Sequence, residues 1–168
     1  MKRITISKAY EKLGPESCVF VLSVDKKRKP SGMICSWHMK CSETPPLFAV
    51  SLWKQGNTQK LIKESKEFVI AVANKELEKE VRIFGYTSGA SVNKFEKTKI
   101  KTVPSKYIKT PLLKEATINF ECRLEKTVDA GECYVFIGKI VNAYAQNKKI
   151  LFSYKKKGKH AFNDIENC

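Results

Sequence analysis

The sequence predicts an antiparallel β-barrel carrying short helical insertions, on the strength of three observations. At least six segments have the β-branched and aromatic density of strands, among them 17–24, 47–53, 68–73 and 133–145. Helical patterning is confined to two short stretches, 56–66 and 75–84. There is no strand–helix alternation of the doubly wound kind, and no GxGxxG motif follows a strand.

Residues 17–24, Ser-Cys-Val-Phe-Val-Leu-Ser-Val, form a buried strand bounded by Gly14-Pro15 and by a charged turn at 25–29. Pro30 to Trp37 and Leu47 to Trp53 are two more strands, separated by the turn-forming run Ser42-Glu43-Thr44-Pro45-Pro46. Gly56-Asn57-Thr58 opens a helix to about Lys66, with Leu61 and Ile62 inward. Phe68 to Ala73 is a buried strand and Lys75 to Phe84 a charged amphipathic helix. Weak periodicity with Pro104 and Pro111 makes 97–115 an irregular connection holding a short strand at most. Ile118, Phe120, Cys122 and Leu124 then alternate with polar residues in strict period two, the signature of a half-buried strand. A turn at 129–132 returns the chain along Cys133 to Ala145, and Ile150 to Tyr154 is one further strand.

At 168 residues the chain fits one domain, 1–154, with a Lys-rich polar tail at 155–168 that is expected to be loose. Its apolar runs are too short to span a bilayer. Met1-Lys2-Arg3 leads into Thr5, Ser7, Lys8 and Glu11 rather than an apolar signal core, so the expected location is cytoplasmic, with no membrane partner. The six cysteines form no CxxC pair, and only His38 and His160 could complete a metal site, so the zinc spacings are absent and free thiols are expected. The net charge of +15 admits a nucleic-acid surface. The lysines are nevertheless interleaved with acids, and only 26–29 and 155–159 are dense basic clusters.

Two places could bind a phosphorylated ligand, and a third segment brings chemically useful side chains together. Lys54-Gln55-Gly56-Asn57-Thr58 joins a strand end to a helix start, where backbone N–H groups and hydroxyls converge. Thr87-Ser88-Gly89-Ala90-Ser91 leads through a polar loop to Lys94. Ser31-Gly32-Met33-Ile34-Cys35-Ser36-Trp37 gathers hydroxyl, thiol and indole on one strand, whose ordinary role would be to bury Trp37 in the core. No Ser–His–Asp or carboxylate pair supports hydrolysis, and Cys35 has no basic neighbour to make it a thiolate.

In order and spacing, Met33-x-x-Ser36-Trp37, Pro45-Pro46-Leu47, Val50-Ser51, Thr58, Leu61-Ile62, Glu67-Phe68-Val69, Ser88-Gly89 and Lys94-Phe95 resemble the flavin reductase-like, FMN-binding split-barrel family. The likeness is greatest to its flavoredoxin-type branch, which shares Glu121-Cys122-Arg123 and Phe136-Ile137-Gly138, and it runs from about Ile4 to Tyr144.

The resemblance implies a homodimer of split β-barrels with FMN near the subunit interface. Met33, Ile34, Cys35, Ser36 and Trp37 would lie along the isoalloxazine and ribityl chain. Ser51, Leu52, Trp53, Lys54, Asn57 and Thr58 would hold the phosphate end, with Ser88, Gly89 and Lys94 on a second phosphate-side loop. Two positions depart from the family pattern. Ile34 stands where Thr is frequent and Gly56 where Arg is frequent, which leaves Lys54 or Lys94 as the phosphate cation.

The implied function is that of an FMN-dependent oxidoreductase with no catalytic side chain of its own. NAD(P)H would be the donor, and free flavin, ferric iron or a redox protein the acceptor. The alternative within the family is a flavoredoxin-type electron-transfer protein without a pyridine-nucleotide site. A different class, a basic OB-like barrel stacking single-stranded nucleic acid on Trp37 and Trp53, is weakened by the lack of one basic stripe.

Overall fold

The computed structural model describes residues 1–156 and 159–164. The chain runs through α1 (Ile6–Glu11), β1 (Glu16–Ser17), β2 (Val19–Val24), β3 (Pro30–Cys35), β4 (His38–Glu43) and β5 (Pro46–Trp53). It continues through α2 (Asn57–Ser65), β6 (Glu67–Val72), a 3₁₀ turn at Lys75–Leu77, α3 (Glu78–Tyr86) and α4 (Lys94–Thr98). The last third holds the short β7 (Thr102–Val103) and β8 (Leu112–Leu113), the long β9 (Ile118–Ala130) and β10 (Cys133–Ala145), then β11 (Leu151–Lys156) and β12 (Lys159–Asp164).

Seven strands form one antiparallel sheet in the order β3-β2-β6-β9-β10-β5-β4. Its edges, β3 and β4, are separated in sequence only by Ser36 and Trp37. The sheet must therefore curl until its edges meet, and at the seam Ser51 N of β5 donates to Trp37 O at 2.9 Å. The chain itself, rather than a full hydrogen-bond ladder, closes this side, which is the split-barrel form of an antiparallel β fold.

Burial on both faces explains why β2 and β6 read as continuous apolar runs. Along β2, Val19 and Val21 enter one core while Phe20 and Leu22 enter another; along β6, Phe68, Ile70 and Val72 oppose Val69 and Ala71 in the same way. The first core fills the barrel, with Cys35, Phe48, Val50, Leu52, Cys122 and Phe136, and receives Ile62 from α2. The second lies outside the sheet, under Leu77, Val81 and Phe84 of the α3 region and Leu112, Leu113 and Ala116.

Gly138 lets two of these strands approach. A Cβ there would stand 2.4 Å from Phe68 Cζ and 3.0 Å from Cys122 Cβ, both in the closed interior. Gly138→Ala is expected to cost about 2–3 kcal/mol through overpacking, read as a shift in the urea midpoint at unchanged m-value.

Several elements differ from the sequence expectation. The strand beginning at Pro30 ends at Cys35, and His38–Glu43 forms β4, an edge strand whose two apolar residues, Met39 and Cys41, are exposed. Helix α1 has no buried residue and so carries no amphipathic signal. Residues 97–115 hold β7 and β8, a single two-stranded ladder in an otherwise irregular stretch. In the expected loose tail, Lys159–Asp164 pairs with β11 from Leu151↔Asp164 to Lys156↔Lys159; 157–158 and 165–168 lie outside the described residues. This β11–β12 hairpin and β1 form a second sheet, tied to the barrel by Cys18 N to Leu151 O and Leu151 N to Ala73 O, each 2.9 Å. Among the described residues no helix is long and apolar enough to cross a membrane.

Candidate functional site

Trp37 and Trp53, which plain strands would bury, are each 52% exposed, whereas Phe20, Phe68, Phe84 and Phe136 are fully enclosed. Both indoles face an open cleft of about 870 Å³. One wall is the end of β3 and the link that follows it: Met33, Ile34, Cys35, Ser36 and Trp37. A second wall comes from β5 and the β9–β10 turn, with Ser51, Trp53, Glu132 and Cys133. Helix α1 overhangs the cleft with Ile6, Ser7, Tyr10 and Glu11, the Tyr10 ring lying edge-on to Trp37 at 6.2 Å. The β11–β12 hairpin supplies Ser153, Tyr154, Lys155 and His160.

A second pocket, of about 330 Å³, opens at the other end of β3. Asp25, Lys29, Pro30 and Ser31 meet Asn57 and Leu61 of α2 there, with Gly89 to Asn93, Lys94 and Phe95 completing the lining; Asp25 Oδ1 is itself engaged, accepting from Lys27 N and Lys29 N at 2.8 Å each. A Cβ on Gly89 would lie 2.7 Å from Ser31 Oγ, so the close approach of loop to strand requires glycine. Asn57 Nδ2 donates to Ser31 Oγ at 3.4 Å. Gly56, the N-cap of α2, offers no side chain to the first turn, so the helix N-terminus presents N–H groups without a capping oxygen. These groups suit a phosphate, while the aromatic faces and hydroxyls of the larger cleft suit a planar heterocycle. At about 3.3 Å per residue, the six residues of β3 join the two pockets over roughly 20 Å, a length compatible with an extended flavin mononucleotide. The residues present fit the group that the resemblance implies.

The fourteen positions singled out in the sequence are thus divided. Met33, Ile34, Cys35, Ser36, Trp37, Ser51 and Trp53 line the cleft, and Asn57, Gly89 and Lys94 the smaller pocket. Leu52 sits in the barrel core and Thr58 is buried in α2; neither is on the wall of either pocket. Lys54 Nζ lies 2.7 Å from both carboxylate oxygens of Asp129 and 4.8 Å from the Tyr134 ring centroid, so its charge is already engaged. Ser88 is exposed and its hydroxyl accepts from Ala90 N.

Lys94 is 4% exposed, and its ammonium donates to Gly32 O at 2.9 Å and Phe84 O at 2.8 Å. Burial pushes its pKa down to about 8. Cys35 is a seam residue: its thiol donates to Trp37 O at 3.2 Å and Ser51 O at 3.5 Å, and burial pushes its pKa up to about 12, so it is a thiol at neutral pH. His38 hydrogen-bonds Ser17 and stacks on Phe48, outside the cleft lining.

Ser31 was legible in the sequence, since it stands two residues before Met33 on the same strand face. The contributions of α1 and the β11–β12 hairpin come from tertiary packing and had no local signal. Among the described residues no cluster of metal ligands occurs.

Comparison with known proteins gives one family model, described as a flavin reductase like domain, that matches residues 15–161. An uncharacterized protein of Archaeoglobus fulgidus is 40% identical over 121 residues, covering 72% of this chain and 68% of its own. The NAD(P)H ferric-chelate reductase of the same organism is 25% identical over 148 residues, covering 84% and 86%. Four curated relatives are matched over only 52–68% of their own length. Among solved structures, an FMN-binding protein of Thermus thermophilus aligns at a TM-score of 0.85 and 20% identity, over 100% of this chain and 99% of that one. A flavoredoxin of Methanosarcina acetivorans aligns at a TM-score of 0.83 and 21% identity, over 100% and 94%. At such identities the structural likeness establishes a shared fold.

Proposed function

The chain belongs to the flavin reductase-like family, and on that premise we propose that it binds FMN along β3 and acts as an NAD(P)H-dependent flavin or ferric reductase. The observation that carries this reading is the single strand joining an aromatic cleft to a smaller polar pocket at its other end. The flavin, when bound, supplies the redox chemistry. Trp37 and Trp53, with backbone groups from Met33 to Trp37, would hold its ring system in the larger cleft that they line. Ser31, Asn57, Gly89, Lys94 and the α2 N-terminus would hold the phosphate. The convergence of these groups on one small pocket favours a terminal phosphate, hence FMN over FAD. The ferric-chelate reductase relative supports NAD(P)H as donor and ferric iron as acceptor, with free flavin the other acceptor proposed.

The flavoredoxin neighbour supports a second reading, an electron carrier that exchanges with a redox protein and has no pyridine-nucleotide site. A homodimer is proposed because Ile6, Tyr10, Trp37 and Trp53 expose apolar surface around the cleft, which a second copy would cover. The proposed location is the cytoplasm.

The absorption spectrum of the purified protein, taken with and without added FMN, tests the cofactor. Flavin bands near roughly 375 and 450 nm, with FMN released on denaturation, are expected. A protein that takes up neither FMN nor FAD overturns the reading. For the loaded protein, steady NADH or NADPH oxidation with ferric chelate establishes the reductase; no turnover, with reduction by a ferredoxin-type protein instead, establishes the carrier.

A further inference from the structure

Lys155 and His160 are direct partners across the β11–β12 ladder, so their side chains leave the same face about 5 Å apart at Cβ. Both line the large cleft. Ser153, two residues before Lys155 on that face, places its hydroxyl 3.4 Å from Ser36 Oγ, beside Trp37.

From this placement we infer that Lys155 and His160, with the hydroxyls of Ser36 and Ser153, form an anion seat. It would receive the phosphate or carboxylate group of the second reactant, the small molecule that exchanges electrons with the bound flavin. The inference rests on the flavin reading of the cleft and adds to it the class of molecule admitted.

Charge pairing elsewhere sharpens the contrast. Lys54 is bonded to Asp129, Lys75 and Arg82 to Glu78, and Lys148 to Glu76, whereas neither Lys155 nor His160 makes an ion pair among the described residues. The carboxylates of the cleft belong to other elements, Glu11 to α1, Glu16 to β1 and Glu132 to the β9–β10 turn. Burial and the neighbouring Lys155 charge both hold the His160 pKa below its ordinary value. The lowered pKa favours the neutral ring; an anion seated between His160 and Lys155 would offset both burial and the Lys155 charge, favour the protonated ring and gain charge-assisted hydrogen bonds from the pair.

The chain has only two histidines, which makes the test direct. Histidine-labelled, FMN-loaded protein is titrated at fixed pH with inorganic pyrophosphate and, separately, with citrate, following ring signals by NMR. The His160 signals, assigned with His160→Gln, are expected to shift and saturate, while those of His38, bonded to Ser17 outside the cleft lining, stay in place and report an intact fold. Lys155→Gln is expected to weaken the response roughly tenfold. A response to pyrophosphate alone identifies a dinucleotide donor, and a response to citrate alone a carboxylate chelate of ferric iron. Absence of any saturable shift, or one unchanged by Lys155→Gln, overturns the seat. If the protein takes up no flavin, the same titration on the flavin-free protein still decides the seat, so the two readings fail separately.

Discussion

Replacing Glu121 by alanine is expected to cost about 3–5 kcal/mol of folding stability and to lower Tm by roughly 10 °C. The side chain is fully buried in β9, yet its carboxylate is saturated with donors. Lys106 N and Tyr107 N donate to it at 3.0 and 2.7 Å, Tyr144 OH at 3.0 Å and Asn142 Nδ2 at 3.4 Å. Alanine would leave two backbone N–H groups of the 105–110 segment without their acceptor and release that segment from the sheet. Glu67 on the neighbouring β6 holds the other end, accepting from Lys109 N at 2.7 Å and Thr110 N at 2.9 Å. Glu67 is the less buried of the two, and its alanine variant should cost less.

Acidification gives an independent check on Glu121. Burial alone would raise its pKa, but the four hydrogen bonds to the charged form outweigh burial and hold it below the ordinary carboxylate value. Its contribution is therefore complete above the unfolded-state pKa, about 4.3, and is lost as pH falls through the lower folded-state value. The wild-type protein should lose stability more steeply than Glu121→Ala over that acid range, so the two denaturation curves converge. Parallel curves would show that the carboxylate charge has no part in holding the segment.

How much of this was legible in the sequence varied with how local the cause was. The runs at 17–24 and 68–73 were legible as strands because burial on both faces leaves no polar residue to break the pattern. The β9–β10 hairpin was legible because a two-residue loop, with positive φ at Gly131, follows a strictly alternating strand. Strand β4 was hidden because an exposed edge strand needs only backbone pairing, and the alternation of Met39 and Cys41 with polar residues is too short to announce it. Strand β12 was hidden inside a basic stretch whose pairing with β11 depends on tertiary docking. At the candidate site, the β3 and Gly89 segments could be found because a close backbone approach selects residue types. Which of Lys54 and Lys94 could meet a phosphate could not, since the sequence does not show that Asp129 folds back onto Lys54.

That difference between the lysines leads to the second large effect: Lys94→Met is expected to weaken FMN binding about a hundredfold while leaving riboflavin binding within roughly threefold of its original value. Two of the three ammonium N–H bonds of Lys94 go to Gly32 O and Phe84 O, which aim the group and tie β3 to the end of α3. The third remains for a ligand in the pocket that Lys94 lines. An ammonium enclosed to this degree costs stability by itself, so methionine, of similar length and apolar, should change the folding free energy little. In the flavin-free protein the group loses its proton near pH 8, below the unfolded-state value of about 10.4. The stability penalty of the buried charge is thus present below pH 8 and relieved as pH rises from about 8 toward 10.4. Ligand binding has the opposite dependence. A phosphate stabilises the protonated lysine, so FMN affinity should be constant below pH 8 and fall above it by up to about tenfold per unit, with proton uptake on binding. Riboflavin, which has no phosphate, should show neither the fall nor the uptake. Titration of both flavins by fluorescence quenching across pH 7–9.5, in wild type and Lys94→Met, separates the two roles. If methionine weakens FMN and riboflavin equally, Lys94 acts only by holding β3 against α3. If it removes the preference for the phosphorylated flavin together with its pH dependence, the buried lysine is the phosphate cation that Gly56 does not supply.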